Sequence, residues 1–342
     1  SIEGISTTQM SVVMASYFGG FLLGSRMVPD MIQKVGHVRV FAALASTISA
    51  VLVLYAVVPR WEIWAIERLI IGFCFSGVYI TSESWLNASA TNETRGQALS
   101  AYMIVQMLGI IGAQILMNTA DPAGYLLFII PSVLVSFAFL PILLSAQPAP
   151  QFSTIQRMSF ATLFRVSPLG CVGIFLMGGV FSAIFGMASV WGSARGLSVT
   201  EISAFVAAIY IGGLVLQYPV GWLSDHGDRR VIVLALAVLG TLACLATLML
   251  QPDIWGLLLT AAIIGGVANP VYSLLLAYTN DFLDAKDMAA ASAGLLFING
   301  VGAITGPLIT GWLMETLGPD GFWAYIGALL LVLALYTGWR RT

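Results

Sequence analysis

The sequence predicts an all-α integral membrane protein, and three observations support that prediction. Hydrophobic residues make up 59% of the chain and charged residues 9%, whereas a soluble domain has roughly 25% charged residues. Long apolar runs recur along the whole chain, and a series of short motifs occurs twice in the same order. A soluble core of this size cannot hide so much apolar surface, so the lipid bilayer must act as the solvent.

Eleven segments are apolar and long enough to cross a bilayer, which takes roughly 20 residues. They lie near residues 10–29, 39–58, 63–86, 98–117, 125–145, 167–191, 203–223, 230–250, 254–280, 289–314 and 321–339.

The longest connection divides the chain into two halves. It covers residues 146–166, contains two prolines, and leaves room for a short interfacial helix around Ile155–Phe164. We therefore expect an N-terminal half over residues 1–145, a cytoplasmic linker over 146–166 and a C-terminal half over 167–342.

Basic residues predict the orientation of the spans, because cytoplasmic loops carry an excess of lysine and arginine. With the first residue outside, the outer loops contain only Arg60 and Arg195. The inner loops and the tail then contain Lys34, Arg39, Arg95, Arg157, Arg165, Arg229, Arg230, Lys286, Arg340 and Arg341. We expect a multi-pass protein of the plasma membrane, in a bacterium the inner membrane, with a cytoplasmic C-terminus.

An external start without a signal peptide predicts one further helix upstream of Ser1. The alternative is a protein of eleven spans with an external N-terminus. The three cysteines, Cys74, Cys171 and Cys244, each lie within an apolar run, which is typical of small buried residues and not of a metal or disulfide set.

The chain contains an internal repeat. Five pairs of short segments match at an offset of 191 to 193 residues: Tyr17–Gly20 with Tyr210–Gly213, Arg39-Val40 with Arg230-Val231, Glu62–Trp64 with Asp253–Trp255, Val78-Tyr79 with Val271-Tyr272, and Gly109 with Gly302. A nearly constant offset indicates two copies of one six-helix unit, the first without its first helix. Parallel halves of this kind are typical of one large class of transporters.

Three motifs resemble those of the major facilitator superfamily. Residues 221–230, "GWLSDHGDRR", match the family pattern G-x-L-x-D-R-x-G-R-R except at His226 and Asp228, and residues 29–40 are a degraded copy with Gln33 in place of the aspartate. Arg68 through Gly72 matches an Arg-x-x-x-Gly pattern. Gly302 through Pro307 matches a glycine-rich stretch ending in Gly-Pro, whose first-half counterpart, Gly109 to Gly112, lacks the proline typical of antiporter branches.

The resemblance implies the major facilitator fold and a rocker-switch mechanism, in which two six-helix halves alternate around a central site. It also implies that the charged loop holds the cytoplasmic side shut when the protein faces outward. We assign Asp225 to that gate because the positive-inside rule accounts for the arginines of the loop but not for an acid. In the alternative, Arg229 and Arg230 only fix the topology, and Asp225 is a solvated residue at the end of a helix. The expected gate residues are Asp225, Arg229 and Arg230 with Asp281 as partner, and Glu83 with Lys34 or Arg39.

Ionisable residues inside spans are rare and usually functional. Glu67 and Arg68 are adjacent, so they point roughly 100° apart on a helix and cannot face the same way. The resemblance implies that Arg68 faces the cavity, where it binds an anionic solute or tunes a nearby acid; snorkelling to the headgroups is the alternative. Glu67 and Glu83 are the candidates for proton coupling, although for Glu83 the gate is the preferred role.

Uncharged polar and aromatic residues within the spans form the remaining cavity candidates. They are Gln106, Trp191, Gln217, Tyr218, Asn269, Tyr272 and Asn299. Each has an alternative role in hydrogen bonding between helices. With Arg68 as the one strong cation, the set favours a small neutral or anionic solute.

The function we predict is secondary active transport of a small solute, coupled to protons. Alternatives are an uncoupled facilitator, or a non-transporting relative that serves as an assembly factor or sensor. No catalytic constellation, nucleotide loop, metal cluster or cofactor motif occurs in the sequence, so we expect neither an enzyme nor a cofactor. The net charge of −2 gives no indication of nucleic-acid binding, and we expect a monomer in the bilayer.

Overall fold

A computed structural model describes residues 4–89, 95–121, 123–144 and 158–340 of the chain. The described residues contain helices and no strand, which confirms the all-α prediction. The helices are α1 (Thr7–Val35), α2 (His37–Val57), α3 (Trp61–Ser89), α4 (Arg95–Leu116), α5 (Leu126–Ala138), α6 (Leu140–Leu143), α7 (Phe160–Val166), α8 (Pro168–Ser182), α9 (Ala188–Ala194), α10 (Val199–His226), α11 (Arg229–Leu250), α12 (Ile254–Asn280), α13 (Ala285–Leu317) and α14 (Asp320–Trp339).

Ten helical segments among the described residues are long and apolar enough to span a membrane. Ten of the eleven expected spans coincide with them. The remaining expected span, 98–117, falls in α4, whose described apolar part, Ile104–Leu116, is shorter.

Two expected spans are irregular. The segment expected over 125–145 breaks between α5 and α6 at Phe139, since Pro141 has no N–H to donate to the carbonyl of Phe137. The segment expected over 167–191 is α8 and α9 joined by one π-helical turn, Ala183–Met187. The π turn contains one extra residue and so rotates every side chain beyond it.

Part of the expected linker is helical. Helix α7 begins after Ser159, whose side chain accepts a hydrogen bond from the Thr162 backbone N–H, and ends at Val166. The helix therefore starts later than the expected Ile155, and residues 146–157 lie outside the described part of the chain.

The chain divides into two compact units. Of the described residues, 4–5 and those between 16 and 144 form one unit, and residues 6–15 together with 158–340 form the other. The first turns of α1 thus belong to the second unit, where the backbone N–H of Thr8 donates to Glu315 Oε1 at 3.1 Å on α13.

Glycines bring α1 and α3 into backbone contact in the first unit. A Cβ atom added at Gly20 would lie 1.8 Å from the carbonyl oxygen of Leu69, and one added at Gly72 would lie 1.9 Å from that of Tyr17. Two glycines that each face the other helix's backbone allow this approach, which no larger side chain permits.

The second unit repeats this contact between α10 and α12. A Cβ at Gly212 would lie 1.8 Å from the carbonyl oxygen of Ala262, and one at Gly265 would lie 1.8 Å from that of Ile209. Gly20 therefore corresponds to Gly212, an offset of 192 residues, and Gly72 to Gly265, an offset of 193. The structural register in α10 thus differs by one residue from the motif match, which paired Gly20 with Gly213.

Candidate functional site

The charged loop joins the ends of three helices within the second unit. Arg229 is the first residue of α11. Its guanidinium forms an ion pair with Asp281, directly after α12, and lies 3.6 Å from Asp225 near the end of α10. Of the two arginines that the sequence offered as partners for Asp281, the structure selects Arg229.

Asp228 and Arg230 form a separate pair. The Asp228 carboxylate caps α11 by accepting the backbone N–H of Arg230 at 2.9 Å, and it lies 3.1 Å from the Arg230 guanidinium. These hydrogen bonds from Arg230 hold the pKa of Asp228 below its usual range. The family pattern has glycine at this position, so the cap is a feature of this chain.

Two cavities lie beside the loop. The larger has a volume of about 640 Å³ and is lined by the loop together with Tyr278, Asp281 and Phe282. The smaller, of about 150 Å³, extends along α10 and α12 and is lined by Gln217 and Ser273 as well as by Asp225 and Arg229. A predicted cavity residue and two predicted gate residues therefore share the walls of one cavity.

The expected pairing of Glu83 with Lys34 or Arg39 is wrong. None of the ion pairs in the described part of the chain includes these three residues. Lys34 and Arg39 are exposed, whereas His37 is buried and its Nε2 lies 3.0 Å from the Ser84 hydroxyl. The connection from the α1–α2 loop to α3 is thus the neutral pair of His37 and Ser84.

Glu83 instead belongs to a polar cluster on α3 and α4. The Tyr102 hydroxyl lies beside the Glu83 carboxylate and the Gln106 amide. That hydroxyl is buried, and within the described residues it makes no hydrogen bond of regular geometry. The cluster joins two sequence candidates, Glu83 and Gln106, to Tyr102, which the sequence analysis missed because a tyrosine in a span carries no distinctive signal.

The polar cavity candidates of the second unit form hydrogen bonds to a neighbouring helix or within their own helix. Gln217 Nε2 donates to the Ser273 hydroxyl at 3.2 Å, between α10 and α12. Asn269 Nδ2 donates to the carbonyl of Gly265, one turn earlier, at 3.2 Å. Asn299 Nδ2 donates across to the Ile174 carbonyl on α8 at 3.1 Å. The bonds of Gln217 and Asn299 correspond to the interhelical alternative, whereas the bond of Asn269 lies within α12; Gln217 also lines the smaller cavity.

Tyr272 is part of an aromatic cluster that sequence reasoning missed. Phe181 and Phe185 stack with ring centroids 5.5 Å apart, and Phe185 stacks on Tyr210 at 5.3 Å. Tyr272 meets the edge of Phe181 at 5.7 Å. Phe185 lies within the π turn and is 43% exposed. The π turn thus presents a ring at a surface shared by α8, α10 and α12.

The structure places Trp191 in the core and not on a cavity surface. Its side chain is 1% exposed and packs against Phe205, Phe322 and Trp323, with ring centroids 4.7 to 5.4 Å apart. Tyr218 is 80% exposed and lines neither cavity of the second unit described above. The packing of Trp191 corrects the expectation that it faces a solute.

Glu67 and Arg68 differ in burial, as their positions on one helix require. Glu67 is 4% exposed, Arg68 is half-buried, and among the described residues neither forms an ion pair. Within the described part of the chain, the Arg68 guanidinium thus has no carboxylate partner, and its role in solute binding stays a prediction.

Comparison with known proteins shows what class of protein this fold represents. The sequence profile described as Major Facilitator Superfamily matches residues 169–342. Two bacterial relatives are an uncharacterized MFS-type transporter, YE1530, of Yersinia enterocolitica, 26% identical over 97% of this chain and 86% of the relative, and YcaD of Escherichia coli, 25% identical over 97% and 87%.

Solved structures share the fold at low sequence identity. The nucleoside transporter NupG aligns with a TM-score of 0.79 at 16% identity, over 99% of this chain and 92% of that one. A D-xylose-proton symporter aligns with a TM-score of 0.74 at 15% identity, over 98% and 89%. The fold and the relatives define a multi-pass membrane transporter of small molecules, and not an enzyme. The chain belongs to the Major Facilitator Superfamily.

Proposed function

We propose that this protein is a secondary active transporter that moves a small solute by alternating access, driven by protons. The observation that carries the proposal is the position of Arg229, which connects the ends of α10 and α12 to the start of α11 and also lines the cavity that contains Gln217. A change in this ion-pair network therefore affects two residues, Asp225 and Arg229, that line that cavity.

The charged loop serves as a cytoplasmic gate in this proposal. The excess of basic residues in the loops on one side supports a cytoplasmic position for Arg229 and for the C-terminus, in a bacterial inner membrane. Side chains of Arg229, Asp225 and Asp281 are 22%, 69% and 49% exposed. Pairs this exposed contribute about 0–1 kcal/mol each, a size that lets a gate open and close reversibly.

The solute class that fits best is a neutral molecule with several hydrogen-bonding groups. In the second unit Gln217 and Ser273 supply neutral donors and acceptors. In the first unit Gln106 and Tyr102 do so, and Arg68 is the one cation among the cavity candidates. The proteins of known structure with this fold include a nucleoside transporter and a D-xylose-proton symporter. Nucleosides and pentoses therefore form the first panel of solutes.

The test uses proteoliposomes that contain the full-length protein and a panel of labelled uridine and D-xylose. We expect movement of a panel member that follows an imposed proton gradient and collapses when a protonophore is added. Asp281→Asn should reduce the rate, whereas Asp320→Asn, which affects the pair with Arg195 elsewhere in the unit, should not. Movement that ignores the gradient would indicate a facilitator, and no movement of any solute would favour the assembly-factor alternative.

A further inference from the structure

Glu67 is a buried acidic side chain on α3 in the first unit, and α2 packs beside it. Its side chain is 4% exposed, and among the described residues its Oε2 atom has no hydrogen-bond partner. The surroundings are apolar and aromatic: Val51 and Ile71 form a core cluster there, against which Trp64 and Phe128 pack. An acidic side chain in such a place is exceptional.

The internal repeat provides a matched comparison. The glycine contacts pair Gly72 with Gly265, and the same offset of 193 residues pairs Glu67 with Thr260. Helix α2 corresponds to α11, because their N-cap residues, Gly36 and Asp228, are 192 positions apart. Thr260 bonds to the Thr247 hydroxyl at 2.9 Å. The second unit thus joins the two helices by a neutral hydroxyl pair, and the first unit has an acid at the same place.

The first unit has no hydrogen bond between α2 and Glu67 that corresponds to this hydroxyl pair in the described residues. Tyr55 corresponds to Thr247 at the offset of 192, but its hydroxyl points to the Trp64 carbonyl, at 3.5 Å, and not to Glu67. Tyr55 is the ionisable group that α2 brings near Glu67 and Arg68, and Tyr17 of α1 packs on the same core cluster. Arg68, on α3 itself, makes no ion pair with Glu67 in the described structure.

An ionised carboxylate with a buried oxygen that accepts no hydrogen bond, and without an ion-pair partner among the described residues, is costly in such an environment, and this cost favours the neutral form. We propose that Glu67 is a proton-binding site: its carboxylate takes a proton from hydronium to form the O–H bond of a carboxylic acid while α2 and α3 are packed together. The proton returns to water when that interface loosens. The inference rests on the proposed proton-driven transport and assigns its proton to Glu67 ahead of Glu83.

Infrared spectroscopy tests the inference without any solute. Full-length protein in lipid is titrated from acid to alkaline pH while the carbonyl stretching band of protonated carboxylic acids is followed in H2O and D2O. Exposed glutamates are ionised above about pH 5, because their pKa is about 4.3. We expect a protonated band that persists at pH 7 and is absent in Glu67→Gln.

Two further variants serve as controls. Glu62→Gln removes a glutamate whose side chain is 45% exposed on the same helix and should leave the band unchanged. Glu67→Asp should keep the band at a shifted frequency, and that shift decides the assignment if the glutamine variant fails to fold. The inference would be overturned if the protonated band were missing at pH 7. It would also be overturned if the band survived in Glu67→Gln and kept its frequency in Glu67→Asp.

The outcome is separable from that of the proposed function. If Glu67 is protonated at pH 7 but no solute moves, the proton site is established and the transport proposal is contradicted. Proton-driven transport with an ionised Glu67 at pH 7 would overturn only this inference and return the proton to another acid. In proteoliposomes that do transport, Glu67→Gln should lose accumulation driven by the proton gradient and keep exchange of solute across the membrane.

Discussion

Arg229, the first residue of α11, forms an ion pair with Asp281, the residue directly after α12. Asp225 on α10 is the second and more distant partner, at 3.6 Å, and its side chain is the more exposed of the two acids. Distance and exposure both make Asp281 the stronger partner. The motif that revealed the loop contains Asp225, whereas Asp281, the stronger partner of Arg229 in the proposed gate, lies outside the motif.

Asp281→Asn should therefore open the neighbouring cavity more than Asp225→Asn does. Ser273 is exposed and lines the smaller cavity, so the labelling rate of a Ser273→Cys protein reports on access. Loss of a pair of about 1 kcal/mol changes an open-to-closed ratio about fivefold. We expect labelling up to about fivefold faster with Asp281→Asn and a smaller effect with Asp225→Asn.

The chain provides a clean background for this measurement. Cys74, Cys171 and Cys244 are all buried and should label slowly. Asp320→Asn is the matched control, because its partner Arg195 lies away from the cavity. Equal labelling in all three aspartate variants would show that the ion pairs do not control access.

The glycine contacts predict opposite outcomes for two adjacent substitutions. Gly20→Ala places a Cβ 1.8 Å from the backbone of Leu69 and forces α1 and α3 apart, whereas Gly19→Ala meets no atom within 4 Å. Overpacking of this kind costs roughly 1–3 kcal/mol or more, while alanine in place of an unhindered helical glycine is neutral or slightly favourable. The midpoint of thermal unfolding in detergent should fall for Gly20→Ala alone.

The second unit offers an independent copy of that experiment. Gly212→Ala should destabilise the protein, since its Cβ would lie 1.8 Å from the Ala262 carbonyl, and Gly221→Ala on the same helix should not. If Gly213, the motif-based counterpart of Gly20, proved more sensitive than Gly212, the structural register of the repeat would be wrong.

Much of the fold was predictable because membrane spans and repeats leave periodic signals that one sequence can show. The apolar runs located ten helical spans, and the repeat indicated α1 and α10 as equivalent helices. The π turn at Ala183–Met187 was not predictable, because its extra residue depends on packing with neighbouring helices and not on residue type.

The candidate site was predictable where charge sets the contact and not where packing does. Asp281 was identified as a partner because it lies at the inner end of its span, on the side where the charged loop is expected, and the structure forms its ion pair with Arg229. The pairing of Glu83 with Lys34 or Arg39 failed because helix phase, not proximity in the chain, decides which face is buried, and α2 buries His37 while Arg39 faces outward.

Asp228 should give the protein an acid-sensitive contribution to stability. Its pKa is held below the usual range in the folded protein by Arg230. A lowered folded pKa means that the contribution is present above the unfolded pKa of about 3.9 and is lost as the pH falls through the lower folded value. The difference in unfolding midpoint between wild type and Asp228→Asn should thus shrink as the pH falls below about 4.

The size of the effect separates the cap from the ion pair. Asparagine caps a helix as well as aspartate, so Asp228→Asn loses only the exposed pair, about 0–1 kcal/mol at pH 7. Asp228→Ala also loses the cap, typically about 1 kcal/mol, whereas in Asp228→Gly, the family residue, loss of the cap costs only a few tenths of a kcal/mol. Equal midpoints for Asn and Ala would show that the cap contributes nothing.

Trp191 and Phe185 provide the sharpest contrast between packing and solute contact. Trp191 lies fully within an aromatic core, so Trp191→Leu should cost several kcal/mol, within the range of about 3–5 kcal/mol known for truncation of large aromatics. Phe185 is 43% exposed and stacks on Tyr210, so Phe185→Leu should cost less than about 1.5 kcal/mol. Phe185→Leu should instead weaken the thermal stabilisation that a bound ring-containing solute produces. If Trp191→Leu kept its unfolding midpoint and lost solute binding, Trp191 would face the solute after all, and the arrangement of this core around it would have to be revised.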